Sequence, residues 1–196
     1  MNESLSLFKN QFINELESIN GSYDSFTFNT SDLPDIYEYT FNQDIRKHPV
    51  FESLFSKTEQ IKSNCLYWFT VKTIDEGILL KKLLSDNRTN LWNEDKEKCR
   101  VLPARNDNNS NVIYVGVRKG SNAKKQKITN ISGRFVQHLG YYKKGRTQGL
   151  QLSHFSRDLD IDISIHFYKL ENCPDEYLYV LEKIFAKELK PVCGKH

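Results

Sequence analysis

The chain has 196 residues, of which 38% are hydrophobic and 27% charged, the composition of one globular domain with a single core. It contains no run of about 18 apolar residues, and MNESLSLFKN at its start is polar and acidic where a secretory signal needs a basic end and an apolar stretch; membrane-spanning and secreted classes are disfavoured, and a cytoplasmic protein with no membrane association is expected. The net charge of +3 is mild, but between Asp107 and Asp158 there are ten Lys and Arg and no acid, so the remainder of the chain is net negative.

In chain order, Leu5, Phe8, Phe12, Leu16 and Ile19 recur at spacings of three and four and Gly21 follows, which predicts an amphipathic helix over 3–20. A polar, turn-rich stretch comes next. Pro49 suits a first helical position, with Phe51, Leu54 and Phe55 as the apolar side, so residues 1–62 read as a helical N-terminal extension. CLYWFTVK at 65–72 reads as a buried strand. Thr73 and Glu76 have capping-box spacing and open a helix carrying Ile78, Leu79, Leu83 and Leu84, while 85–110 is polar and partly irregular. A second strand, NVIYVGVR at 111–118, leads into the exposed basic connection GSNAKKQK. Helices are predicted from about Asn130 to Tyr142 and, shorter, around Thr147 to Phe155. Ile161, Ile163, Ile165 and Phe167 then alternate with Asp162, Ser164, His166 and Tyr168, the period of a half-buried strand. Pro174 opens a last helix running to about Lys190. The order strand, helix, strand, helices, strand, helix is that of a small α+β domain.

The basic segment has a physical consequence. A field of one sign concentrated in one stretch attracts phosphate backbones and gains affinity by releasing their counterions; the plainer account is a solvated surface neutralised by acids elsewhere. Cys65, Cys99, Cys173 and Cys193 are too widely spaced for a finger or ribbon, and the single C-x-x-H pair of Cys193 and His196 has no second pair to complete it. Four reduced thiols are expected.

Certain residues call for explanation by chemistry. Leu178, Glu182, Phe185 and Leu189 share one helix face, which puts a carboxylate in an apolar stripe; such a group takes a positive partner, a metal ion or the stripe's solvent edge. Arg134 and His138, four apart, offer a cation and an imidazole side by side. Tyr67 and Tyr114 occupy the middles of the first two strands, and Gly116 allows a close approach beside the second.

In this order these residues resemble the GIY-YIG nuclease superfamily. Cys65-Leu66-Tyr67 stands where the family has its first tripeptide, Tyr114-Val115-Gly116 matches the second, Gly133-Arg134 through His138 matches the arginine helix, Glu182 takes the position of the metal-binding glutamate, and Leu189-Lys190-Pro191 follows. The resemblance covers about 64–194. Its departures are the missing glycine of the first tripeptide, the wide spacing between Tyr67 and Tyr114, and Gly194 near the place of a family asparagine.

The resemblance implies a small three-stranded, mostly antiparallel sheet flanked by helices, as a nuclease domain over 63–196 with an inserted helical segment at 73–110. It implies a metal-dependent endonuclease acting on phosphodiester bonds in DNA, double-stranded by expectation, with a non-catalytic nucleic-acid-binding module as the alternative. Glu182 would hold one Mg2+ or Mn2+. Arg134 would neutralise charge on the phosphoryl oxygens, and Tyr67 and Tyr114 would position the attacking water, one of them as general base with help from His138. Arg118, Lys119, Lys124, Lys125, Lys127, Lys143, Lys144 and Arg146 would contact the nucleic acid. One such site cuts one strand, so a double-strand cut requires a homodimer or two visits.

Overall fold

The computed structural model describes residues 14, 17–36, 44–94, 100–120, 130–142 and 147–194. Within them the fold is α+β. Its longer elements are β1 (Asn20–Asn29), α1 (Glu52–Glu59), β2 (Asn64–Val71), α2 (Ile74–Glu94), β4 (Val112–Arg118), α3 (Ile131–Leu139), β6 (Asp162–Glu171) and α4 (Asp175–Leu189). The two-residue strands β3 (Arg100–Val101) and β5 (Thr147–Gln148) pair in parallel.

The main sheet has four strands in the order β1-β6-β2-β4, every neighbouring pair antiparallel. Three strands were expected. The extra one, β1, pairs with β6 over its whole length, from Asn20 opposite Glu171 to Asn29 opposite Asp162. The segment expected as turn-rich is therefore a strand, and the N-terminal part of the chain is not helical throughout. Phe28 is buried and its ring meets Phe51 at 5.2 Å, edge-on, so β1 and the start of α1 share one core. The helix expected at 3–20 falls almost wholly outside the described residues.

Two helical layers sandwich the sheet. On one face Tyr67, Phe69, Ile113, Ile163, Ile165 and Phe167 pack with Leu54 and Phe55 of α1, Leu80 and Leu84 of α2, and Phe135 and Leu139 of α3. On the other, Leu66, Val112, Val115 and Leu170 pack with Leu178 and Ala186 of α4. Each strand thus supplies alternate residues to the two layers, as the pleat requires. The capping box opening α2 is realised in both directions, Thr73 N–H to Glu76 Oε2 at 2.9 Å and Glu76 N–H to Thr73 Oγ1 at 3.2 Å. That helix runs on to Glu94, beyond the expected end, with Leu91 still buried. The helix expected near 147–155 does not form: β5 and a single 3-10 turn over Leu152–His154 occupy it, and Gln151 sits at φ 56, a left-handed conformation that ends helices.

Two irregularities bear on function. In the β2·β4 pairing Phe69 faces Tyr114 but Thr70 faces Val112, so Ile113 is an extra residue. Such a bulge re-aims side chains, and Ile113 and Tyr114 both turn toward the three-helix layer. Along the β4 edge, Val192 and Cys193 donate their N–H groups to the carbonyls of Val112 and Ile113 at 2.9 and 3.1 Å, which blocks pairing with another chain there. Among the described residues no helix is long and apolar enough to cross a membrane. Cys65, Cys173 and Cys193 are free thiols in buried positions.

Candidate active site

The antiparallel pairing of β2 with β4 brings their two tyrosines together. Tyr67 lies opposite Gly116, and its ring stacks on that of Tyr114 with centroids 6.1 Å apart. Any Cβ on residue 116 would sit 2.6 Å from Tyr67 Oη and 2.7 Å from Tyr114 Cε1. The glycine is what leaves the two phenols room.

Helix α3 supplies the cation. Asn130 caps it by accepting from Gly133 N–H at 3.1 Å, and Gly140, at φ 99, ends it with a left-handed residue. Arg134 and His138 therefore sit one turn apart above the sheet. Arg134 donates Nε–H to Tyr67 Oη at 2.9 Å, Nη1 to Gln137 Oε1 at 2.8 Å and to the Gln148 carbonyl, and Nη2 to Tyr114 Oη at 3.4 Å. One guanidinium ties two strands, its own helix and β5.

His138 is fully buried and its Nε2 lies 3.1 Å from Tyr67 Oη, while Nδ1 accepts the backbone N–H of Leu150 at 3.2 Å. Burial first, and the Arg134 charge second, hold the imidazole well below its usual range, so it is neutral. With Nδ1 accepting, the single proton is on Nε2 and points at Tyr67 Oη. That phenol oxygen thus accepts from both His138 and Arg134.

Tyr114 is half-buried. Burial, reinforced by Tyr67, pushes its phenol well above the ordinary value, and Arg134 only partly counters this. A base role would require nearby cations to lower a phenol toward neutral pH; at Tyr114 desolvation outweighs the Arg134 charge. It keeps its proton.

Glu182 approaches from the α4 layer and is half-buried. Burial raises its carboxyl, and the charges of Arg134 and Lys183 pull it back down; in turn Glu182 contributes to the upward shift of Tyr114. Carboxylate, guanidinium and phenol are therefore within electrostatic reach of one another. Arg118, at the end of β4, is also drawn into this field: burial and Arg134 lower it, while Tyr67 and Tyr179 raise it. Lys119 is instead exposed and paired with Asp175 Oδ2 at 3.1 Å. Lys124, Lys125, Lys127, Lys143, Lys144 and Arg146 lie outside the described residues. Arg157, from the same basic segment, pairs with Asp35 and stands apart from this cluster.

Among the described residues no group of three His, Cys, Asp or Glu could cage a metal. In this cluster Glu182 is the carboxylate that could hold Mg2+ or Mn2+, ions that keep several waters and commonly bind one or two carboxylates together with substrate phosphates. A half-buried carboxylate within the electrostatic influence of a half-buried guanidinium fits that use and does not fit a zinc-type cage. No family model, curated protein or solved structure matches the chain.

Residues with no individual signal in the sequence complete the arrangement. Asn64 donates Nδ2 to the Cys173 carbonyl at 2.8 Å and to Asp175 Oδ1 at 3.0 Å, and its Oδ1 accepts Gly120 N–H at 2.7 Å. It fastens the start of α4 to the start of β2 and the residues just past β4, and so sets where Glu182 comes to lie. Gln137 and the Gln148 carbonyl, as acceptors from Arg134, likewise could be found only from the fold.

Proposed function

We propose that this chain is a metal-dependent DNA endonuclease of GIY-YIG type, hydrolysing phosphodiester bonds at the Tyr67, Tyr114, Arg134 and Glu182 cluster. The observation that supports this best is Arg134 bonded to the phenols of two paired strands, with the Glu182 carboxylate of α4 in electrostatic reach. Counting donors, Nε and Nη1 of Arg134 are committed to Tyr67, Gln137 and Gln148, whereas the Nη2 contact to Tyr114 is long. Nη2 is the group that turns to a phosphoryl oxygen, with Arg118 as a second cation. Fixed donors in a partly dry site act most strongly where charge develops, at roughly 3–4 kcal/mol for one such group.

Tyr114, protonated and closer to solvent than Tyr67, orients the attacking water through its hydroxyl. Tyr67 is the inner oxygen, held by Arg134 and His138. His138, fully buried, acts through Tyr67 and is a positioning residue. A divalent cation held through Glu182 would supply Lewis-acid stabilisation of the leaving oxygen.

The decisive experiment is incubation of supercoiled plasmid with the protein and Mg2+ or Mn2+. Nicked or linear product that EDTA prevents is expected, together with a Glu182→Ala protein that binds DNA without cutting it. Digestion by Glu182→Ala at the parent rate would refute the assignment, and binding without cleavage by the parent protein would favour a non-catalytic module.

A further inference from the structure

Tyr179 projects from α4 one turn before Glu182 and is 56% exposed. Exposed tyrosines are common and need no explanation alone; this one is set among cations. Lys119 Nζ lies over its ring, 5.9 Å from the centroid, and is itself fixed by Asp175, one turn earlier on the same helix. Arg118, which lies in the field of the Arg134 charge, also feels the Tyr179 phenol. Among the described residues no other ring stacks on it. Proteins grip unpaired nucleotides with an exposed aromatic ring set beside cations, the ring taking the base and the cations its backbone, and Tyr179 has an exposed ring with Lys119 beside it.

We infer that Tyr179 is a stacking platform for a nucleobase next to the scissile phosphate, and hence that the preferred substrate is DNA with unpaired nucleotides, such as a bulge or flap, over continuous duplex. This rests on the nuclease reading for the word scissile. A base inside a duplex is already stacked on its neighbours and offers no face to Tyr179; extruding it costs a few kcal/mol, which an unpaired base does not incur. Lys119 and Arg118 would hold the adjoining phosphates while Glu182 and Arg134 face the bond to be cut.

The test compares binding, by fluorescence anisotropy in EDTA, of a labelled bulged duplex and a continuous duplex of the same sequence, and then cleavage of both with Mg2+. The parent protein should prefer the bulged DNA. Tyr179→Ala should weaken binding to it roughly tenfold, the scale of one lost base-aromatic contact, and so erase the preference, while Tyr179→Phe, which keeps the ring, should restore it. Equal affinity of the parent for both DNAs, or a preference that survives in Tyr179→Ala, would overturn the inference. Glu182-dependent cleavage without any bulge preference would leave the nuclease reading standing and sink this one. A Tyr179-dependent preference with no cleavage would do the reverse.

Discussion

The backbone N–H of Leu150 meets Nδ1 of His138 at 3.2 Å, and this one contact determines which imidazole nitrogen carries the proton. Nδ1 can accept only if it is bare, so Nε2 is protonated and donates to Tyr67 Oη. Protonating the ring would set a hydrogen on Nδ1 against the Leu150 N–H and add a charge beside Arg134 in a fully buried place. In the unfolded chain the same histidine titrates near its ordinary 6.5. The folded value lies below the unfolded one, so the unfolded state binds more protons as the medium acidifies. Stability from this group is complete above about pH 6.5 and is lost as the pH falls below it, by up to about 1.4 kcal/mol per pH unit. His166, also lowered by burial, acts in the same direction. Urea unfolding between pH 7.5 and pH 5 should therefore show stability falling toward acid, and His138→Gln should flatten that fall. An equally steep fall in the variant would show that His138 is not the group responsible.

Gly116 offers a test of the tyrosine pair that leaves every polar group in place. In Gly116→Ala the new methyl meets Tyr67 Oη at 2.6 Å and Tyr114 Cε1 at 2.7 Å. Tyr67 cannot swing aside without breaking its bonds to Arg134 and His138. The expected cost is roughly 1–3 kcal/mol of stability, the usual scale of overpacking, with a fall in kcat larger than any change in DNA affinity. Unfolding curves and single-turnover cleavage read the two effects separately, and a variant with the parent kcat would remove the pair from the mechanism.

How much of this was legible in the sequence depends on how local each cause is. The capping box of Thr73 and Glu76, the alternation along β6 and the start of α4 after Pro174 are written in neighbouring residues, and the folded chain has them where they were expected. The strand β1 has a similar alternation at Phe26 and Phe28, but its other face is Tyr23, Ser25, Thr27 and Asn29, and a half-polar strand next to Asp24 and Gly21 reads as turn. The length of α2 was hidden for a related reason, since Ser85 to Asn90 contain no apolar residue and the helix continues past them to the buried Leu91. At the site, the order of the key residues could be read from the chain. The bulge at Ile113, the Asn64 latch and the backbone partners Gln148 and Leu150 could not, because each depends on segments that meet only in three dimensions.

Arg134 makes a conservative exchange severe. Its planar fork reaches Tyr67, Gln137, Gln148 and Tyr114 at once, and the single ammonium of a lysine cannot reproduce that geometry. Arg134→Lys should retain the charge but strand at least one phenol oxygen away from its donor, at a cost of about 1–3 kcal/mol for a buried unsatisfied group. Cleavage should fall by about 10²–10³ if Nη2 serves the phosphoryl oxygens. A lysine variant with near-parent kcat would mean that only the charge matters at this position, and would sever the link drawn between the hydrogen-bond pattern and catalysis.

The pH dependence of cleavage separates Glu182 from Tyr114. Glu182 must be ionised to hold a cation, and burial raises its carboxyl above the ordinary 4.5 even though Arg134 and Lys183 oppose the shift. The acid limb of kcat/KM should therefore lie above pH 4.5, with activity lost as the pH falls through the raised value. Tyr114 is displaced upward by burial and by Tyr67, so its hydroxyl is protonated throughout neutral pH and contributes a hydrogen bond in place of a titration step. Tyr114→Phe should thus lower kcat, on the order of tenfold for one lost orienting contact if it acts as weakly as a single neutral hydrogen bond, while leaving the limbs of the profile between pH 5 and pH 9 where they were. Loss of a basic-side inflection in Tyr114→Phe would instead mean that this phenol gives up its proton during turnover, which requires a site far wetter than the packing of Tyr114 against Tyr67 and His138 provides.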